Sequence, residues 1–309
     1  MESNQVKIFN ALENGIFRKI ICGAANSSEQ QVERIALVYA LAGTHVIDIG
    51  PQENIYNVAK RGIYRALDIN PELIPPIIMT SVNVGDDKHF RKASFNLSQC
   101  VQCLECVKTC DINKDPEKCY GCARCVEACQ HNAVTMVKMP GNLKIKNYDA
   151  IEIHTGNSTL EEVQAFVEIN RMALDKAILL SVSIDSGRFN TIELIDYANS
   201  IVNMFGKKII IQIDGLSMRG GTKKSSTLST LAAASTLLDA EVNAYIQLSG
   251  GTNHLTQEIV NMTGLKISGI GFGSFAKKII LNYIEKQEDI FGVDLNKIVK
   301  VAESLVKKG

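Results

Sequence analysis

The run AIEIHTGNSTLEEVQAFVEINRMALDKAILLSVSI, residues 150–184, decides the fold. It opens on a short strand-type segment, Ala150–His154. Helical spacing follows over Leu160–Ala173, and a continuous apolar run returns over Ala177–Ile184. A strand, a helix and a second strand in that order predict a crossover between parallel strands. The same unit repeats downstream. The helix Thr191–Met204 leads to Lys208–Ile213, and Leu228–Leu238 leads to Asn243–Leu248. A short helix, Leu255–Asn261, leads to Ile267–Gly271, and Phe275–Ile284 follows. Upstream, Arg18–Cys22 precedes a helix over Ser28–Leu41, on which Val32, Ile35, Ala36 and Tyr39 share a face and which Ser27 or Ser28 can cap. His45–Ile49 precedes Asn54–Leu67, and Pro76–Val82 is a third strand.

These segments make eight strands, each followed by a helix except the third. Runs such as KIIIQI, rich in Ile and Val, suit parallel strands covered on both faces. Strict alternation with eight units predicts an α/β fold of the (β/α)8 TIM-barrel type. An open doubly wound sheet alternates in the same way and is the other fold considered. Removing an inserted segment at 86–139, 54 residues of the 309, leaves 255. A closed barrel needs about 250. The expected division is therefore a barrel from 1–85 and 140–309, with 86–139 as an insert after strand 3. Leu295–Val306 reads as a further amphipathic helix on the outside of the barrel.

Composition limits the function. Lys+Arg and Asp+Glu both number 33, so no net charge favours nucleic acid or an anionic membrane. The apolar runs are too short for a membrane span. Met1-Glu2-Ser3-Asn4-Gln5 lacks the basic and apolar regions of a signal peptide, which points to the cytoplasm.

Eight of the 9 cysteines fall between Cys100 and Cys129. They form two runs of identical spacing, Cys100-x2-Cys103-x2-Cys106-x3-Cys110 and Cys119-x2-Cys122-x2-Cys125-x3-Cys129. Such density without an export signal argues for metal ligation in a reducing compartment. Thiolates select iron–sulfur clusters or zinc. Three cysteines at successive x2 intervals wrap one face of a cubane, and the fourth of each run reaches the other cluster. Two [4Fe–4S] clusters are expected. Cys100, Cys103, Cys106 and Cys129 hold one, and Cys119, Cys122, Cys125 and Cys110 hold the other. The competing reading is zinc or plain structural cysteines. The segment resembles bacterial two-cluster ferredoxins, with Asn132-Ala133-Val134 opening the closing strand. Asp111 and Gln130 follow the fourth cysteines where those ferredoxins have proline. The ligand set is intact, but the proline-fixed turn and the solvent exposure beside each centre are in question.

The working face of such a barrel lies at the C-terminal strand ends. The sequence puts Asn26, Asp48, Asn83, His154, Thr155, Asp185, Ser186 and Asp214 there, then Ser249-Gly250-Gly251-Thr252 and Gly271-Phe272-Gly273-Ser274. The insert leaves from the end of strand 3, so its clusters should sit above this mouth. Glycine amides and a helix start at Ser274 suit an anion. Gly250, Gly251, Thr252, Gly273 and Ser274 are therefore candidates for the phosphate of FMN or a sugar phosphate. The alternative is that the glycines only make tight turns. Lys223 and Lys224, in a loop Met218–Ser226 with Gly220-Gly221, add charge or form a mobile lid, although a solvated loop is the simpler reading. His154 and Asp185 are acid–base candidates, and so are Asp48 and Asp214, although strand-end groups more often satisfy backbone. His45, His89, His131 and His254 read as structural. Cys22 reads as a small buried hydrophobe.

The two cysteine runs, Leu248–Asn253 (LSGGTN) and Gly271–Lys278 (GFGSFAKK) carry a further resemblance. On them the chain resembles the cyanobacterial light-dependent period family, LdpA, over nearly all its length. That resemblance implies iron–sulfur clusters, a cytoplasmic place, and a redox sensor linked to the quinone pool that feeds the circadian clock. Its partner is then a redox protein or a quinone. The second function considered is an oxidoreductase, in which the clusters pass electrons to FMN at the barrel mouth, as in dihydropyrimidine-type dehydrogenases.

Overall fold

The computed structural model describes residues 2–22, 29–85, 87, 90–110, 119, 123–138, 145–146, 148–215, 223–284 and 295–307. The strands are β1 (Phe17–Ile21), β2 (Val46–Ile49), β3 (Ile77–Asn83), β4 (Arg91–Phe95), β5 (Val134–Lys138), β6 (Ala150–His154), β7 (Leu179–Asp185), β8 (Ile210–Asp214), β9 (Tyr245–Ser249) and β10 (Gly269–Phe272). Eight of them close into a barrel in the order β1-β10-β9-β8-β7-β6-β3-β2. Every pairing in the barrel is parallel. The expected (β/α)8 barrel is therefore the fold, and its closure excludes the open sheet. β4 and β5 form a separate antiparallel pair between β3 and β6, where a crossover helix would otherwise lie.

Outward-facing Ile, Val and Leu side chains of the strands meet the inner faces of the surrounding helices in one continuous core. These helices include α2 (Glu29–Leu41), α3 (Glu53–Ile69), α6 (Leu160–Ile169), α8 (Thr191–Val202), α9 (Lys223–Asp239), α10 (Thr256–Thr263), α11 (Ser274–Ile284) and α12 (Leu295–Val306). The expected face Val32, Ile35, Ala36 and Tyr39 is buried, and the Tyr39 hydroxyl donates to the Ala276 carbonyl at 2.8 Å. Gly62 on α3 lies directly against the Glu33 carbonyl of α2, so the two helices pack more closely there than a Cβ would permit. α12 packs on α11 and α2, outside the barrel as expected.

Three local features differ from the sequence reading. The helix expected over Leu160–Ala173 breaks at Asn170, and α7 (Arg171–Lys176) follows. The Asn170 side chain accepts from the Ile145 amide at 2.9 Å and donates back to the Phe166 carbonyl at 2.9 Å, a side-chain bond that competes with the helix ladder at the break. Residues 223–226, expected in a loop, belong to α9. Gly220 and Gly221 lie outside the described residues, as do the Lys223 and Lys224 side chains. A helix the sequence reading omitted, α1 (Glu2–Glu13), closes the N-terminal end of the barrel. Its Ile8, Ala11 and Leu12 pack on Phe17, Val46, Ile77, Ala150, Leu179, Ile210 and Tyr245, residues that start seven of the barrel strands. Burial of each large apolar side chain contributes about 1.5–3 kcal/mol.

Candidate functional site

The segment between β3 and β6 carries the cysteines. Two short helices, α4 (Glu105–Lys108) and α5 (Arg124–Ala128), pack on each other, and α5 packs on β5. Each helix is entered through a non-glycine residue in the left-handed region, Leu104 at φ 64° and Ala123 at φ 61°. Each follows the second cysteine of its run. A β-carbon in this region costs roughly 1–2 kcal/mol, so the surroundings enforce the turn twice at equivalent places. Gln102, just before Cys103, is left-handed as well, at φ 56°. Cys106 and Cys125 are buried in one small core with Val134. Ala93, Phe95, Val107, Val126 and Cys129 pack around it.

Backbone amides reach the sulfurs. Ala93 N–H donates to Cys119 Sγ at 3.3 Å. The amides of His131, then Ala133 and Val134, bond Cys129 and hold its thiol below the ordinary range. Cys100, Cys103, Cys106, Cys110, Cys119, Cys125 and Cys129 form no disulfide with one another, and Cys103 is exposed. Leu97, Val101 and Leu104 beside Cys103 are exposed too. Cys122, Asp111 and His89 lie outside the described residues. The donors are soft, and amide hydrogen bonds reach Cys119 and Cys129, which fits thiolate ligation of iron–sulfur centres, although among the described residues no three donors are gathered closely enough to hold an ion.

Part of the barrel interior is polar. Lys19 on β1 has no exposed side-chain surface. Its ammonium contacts the Glu152 carboxylate directly and lies 3.5 Å from Asp48 Oδ2. Glu152 Oε1 accepts from Gln212 Nε2 at 2.5 Å, and Gln212 Nε2 also lies 3.4 Å from Asp214 Oδ1. Gln247 Nε2 donates to Gln212 Oε1 at 2.7 Å. The Ser81 hydroxyl donates to Asp48 Oδ1 at 2.6 Å, and His154 Nε2 lies 3.3 Å from Ser81 Oγ. Ser183 Oγ is 3.1 Å from His154 Nδ1. One hydrogen-bonded chain thus runs across the barrel from Asp214 to His154. Burial pushes Asp48 up and Lys19 down, and their attraction opposes both shifts.

This network sorts the expected acid–base residues. Asp48, Asp214 and His154 belong to it. Asp185 does not: its Oδ1 accepts from the Gly187 amide at 3.2 Å and caps a turn. Asn83 donates to the Gly85 carbonyl at 2.9 Å, Thr155 to the Ser183 carbonyl at 2.8 Å, and Ser186 to the Asp214 carbonyl at 3.2 Å. Those three serve the backbone. Asn26 lies outside the described residues. His45 accepts the Arg18 amide at 3.0 Å, and His254 stacks on Phe275, so both are structural. Cys22 is buried, with its thiol pushed up to about 12. Lys19, Glu152, Gln212 and Gln247 were missed. The available signal was a long polar side chain in the middle of each of four short strands, FRKII, AIEIH, IIQID and YIQLS.

The glycine loop after β9 makes the tight turn expected of it. Gly250 has φ +61° and Gly251 φ +80°. A Cβ on Gly250 would lie 2.6 Å from the Gly215 amide nitrogen, so backbone geometry alone requires glycine there. The Gly250 carbonyl accepts from Thr230 at 3.1 Å, and the Gly251 carbonyl from Asn253 Nδ2 at 3.0 Å. In a trans peptide the next N–H points the opposite way, so the amides of Gly251 and Thr252 face away from those donors. Thr252 Oγ1 donates to the Gly271 carbonyl at 2.6 Å and ties loop 7 to loop 8, where α11 begins at Ser274. Gly273 lies between them.

A barrel with a polar mouth, bearing a thiol-rich insert, defines an iron–sulfur protein on a (β/α)8 scaffold. A 4Fe-4S binding domain model matches residues 112–135. The chain belongs to the light dependent period A family, whose C-terminal domain model matches residues 142–308. Light dependent period A of Synechococcus elongatus is 27% identical over 304 residues, covering 89% of this chain and 84% of that protein. Among solved structures, (S)-3-O-geranylgeranylglyceryl phosphate synthase from Thermoplasma acidophilum superposes with TM-score 0.50 at 13% identity, covering 98% of both chains. A homocysteine methyltransferase from Escherichia coli gives TM-score 0.50 at 9% identity, covering 99% of this chain and 100% of that one. These two likenesses concern the fold. Among the described residues no helix is long and apolar enough to cross a membrane.

Proposed function

We propose that this protein carries electrons or reports redox state through two [4Fe–4S] centres set over the mouth of its barrel. The observation that carries the reading is the pair of left-handed turns at Leu104 and Ala123, which bring Cys106 and Cys125 into one buried core beside Cys129. Cys100, Cys103, Cys106 and Cys129 hold one centre. Cys119, Cys122, Cys125 and Cys110 hold the other. When bound, such centres accept and release single electrons. The protein's own part is to exclude water around Cys106 and Cys125 and to aim the Ala93 and His131 amides at sulfur. Amides so aimed stabilise the more negative, reduced state.

The partner is a redox protein or a quinone, and the place is the cytoplasm. Cys103 and the apolar Leu97, Val101 and Leu104 give the outer centre a solvent-facing edge for that exchange. A relative named for a light-dependent period supports extending the role to redox input into a biological clock. The insert is assigned to 86–139 and the barrel to 1–85 and 140–309.

The alternative reading makes the protein an oxidoreductase with FMN at the mouth. The orientation of the Gly251 and Thr252 amides, away from α9, favours it. Gly250, Gly251, Thr252, Gly273 and Ser274 would then hold the phosphate.

The test is an absorbance spectrum of anaerobically purified protein, followed by a search for flavin in the acid-denatured supernatant. A broad band that bleaches with dithionite is expected. Flavin in the supernatant moves the assignment to the oxidoreductase. Colourless protein containing zinc overturns both readings.

A further inference from the structure

His154 is where the insert meets the barrel. Its ring is nearly buried, and Phe90 packs its own ring edge-on against it, with centroids 5.3 Å apart. Asp87 Oδ2 lies 3.8 Å from His154 Nδ1. The Phe90 amide donates to the Asp87 carbonyl at 3.1 Å, so these two residues form one turn at the root of the insert. β4 starts at the next residue, Arg91, and its Ala93 amide bonds Cys119 Sγ. Three residues of strand, roughly 10 Å, therefore separate the His154 contact from a cysteine of the inner run. The other run lies further along the hairpin, where Phe95 packs near Cys106.

The hydrogen bonds fix the ring's protons. Ser81 gives its proton to the Asp48 carboxylate, so its oxygen accepts from His154 Nε2–H. Nδ1 is then the acceptor of the Ser183 hydroxyl. A second proton can enter at Nδ1, with the Ser183 hydroxyl turned and the Asp87 carboxylate beside it. Charged groups beside the ring include Asp87 from the insert root and Glu152 from the same strand, 3.5 Å from Nε2. Asp48 stands behind Ser81, Lys19 lies between Asp48 and Glu152, and Asp214 is reached through Gln212. The two carboxylates beside the ring, Asp87 and Glu152, attract an imidazolium.

We propose that His154 is a redox-linked proton site, which takes up one proton from solvent when one electron enters the inner centre. The inference rests on the iron–sulfur reading above. The electron comes from an external one-electron donor. It adds one negative charge at the Cys119 side, and the proton added at Nδ1 restores the total. Imidazole becomes imidazolium, and its N–H pairs with Asp87. A unit charge at about 12–18 Å, in an effective dielectric near 20, strengthens proton binding roughly five- to tenfold. Coupling is reciprocal, so protonation favours reduction by the same factor. The pairing of His154 with Asp87 tightens the insert on the barrel in the reduced state, which gives the barrel a means of registering the electron.

The experiment is a potentiometric titration of the whole, anaerobically purified protein between about pH 5 and about pH 8, the range of histidine. Dithionite serves as reductant, and both midpoints are followed. One midpoint is expected to rise by a total of roughly 40–60 mV from the alkaline to the acid limit, the five- to tenfold factor for one electron. The other, further from His154, should move less. His154→Gln should leave both flat. Asp87→Asn, which keeps the histidine and removes its counter-ion, should move the rise to lower pH. Two flat midpoints in the unmodified protein overturn the proposal, and so does an unchanged rise in His154→Gln. Protein with no reducible centre would instead overturn the iron–sulfur reading itself.

Discussion

The Lys19 ammonium and the Glu152 carboxylate meet at the centre of the barrel, and neither side chain reaches solvent. Removing Lys19 leaves Glu152 and Asp48 buried without their cation, at a cost of about 3–5 kcal/mol, while removing Glu152 leaves Lys19 with Asp48 alone. Glu152→Ala or Lys19→Met should each lower the urea unfolding midpoint strongly. The double substitution should cost clearly less than their sum, because it leaves only Asp48 and Gln212 to re-pair. Additive losses would mean that the pair contributes no coupling.

His45 sets an acid limit on stability. Burial pushes its pKa down from 6.5 to about 4, and its Nδ1 must stay unprotonated to accept the Arg18 amide. The folded value lies below the unfolded one. The contribution is therefore present above the unfolded pKa and is lost as pH falls towards about 4. Between pH 7 and pH 5 the loss should be about 2 kcal/mol. His45→Gln, which retains an acceptor, should remove that part of the dependence. Urea midpoints at the two pH values, for both proteins, measure it.

Gly250 is needed for its backbone, whatever the loop binds. Alanine there faces both φ +61° and a Cβ 2.6 Å from the Gly215 nitrogen. Gly250→Ala should destabilise by about 1–3 kcal/mol, read as a lowered melting temperature. Gly43, at φ +90° with open space around its Cβ position, is the control for strain without collision. Equal losses at both sites would show that the close approach at Gly250 carries no weight.

The Ala93 amide should tune the inner centre. Ala93→Pro deletes the donor to Cys119 on a two-stranded sheet that tolerates proline at its edge. The lost bond favoured the reduced state, so that midpoint should fall, by on the order of tens of millivolts, with iron content retained. An unchanged midpoint would remove this hydrogen bond from the account.

The barrel was legible because its signals are local: apolar strands such as Ile210–Asp214 alternate with amphipathic helices. The cysteine runs were legible for the same reason, since the ligands of one face must be near neighbours in sequence. α1 was missed although Ile8, Ala11 and Leu12 have helical spacing, because its burial depends on strand starts scattered from Phe17 to Tyr245. The interior network was missed because a lone Lys19 or Glu152 in a strand gives no hint of its partner 133 residues away. His154 was visible as a candidate. Its contacts with Asp87 and Phe90 were not, because they depend on how the insert sits on the barrel.

The central claim is that two equivalent runs hold two cubane centres. Iron and acid-labile sulfide, counted per chain in anaerobically purified protein, test it most directly. About eight of each are expected for two [4Fe–4S] centres, falling to about half in Cys103→Ser, whose hydroxyl is a poor iron ligand. Zinc in place of iron, or a full complement retained in Cys103→Ser, would contradict it.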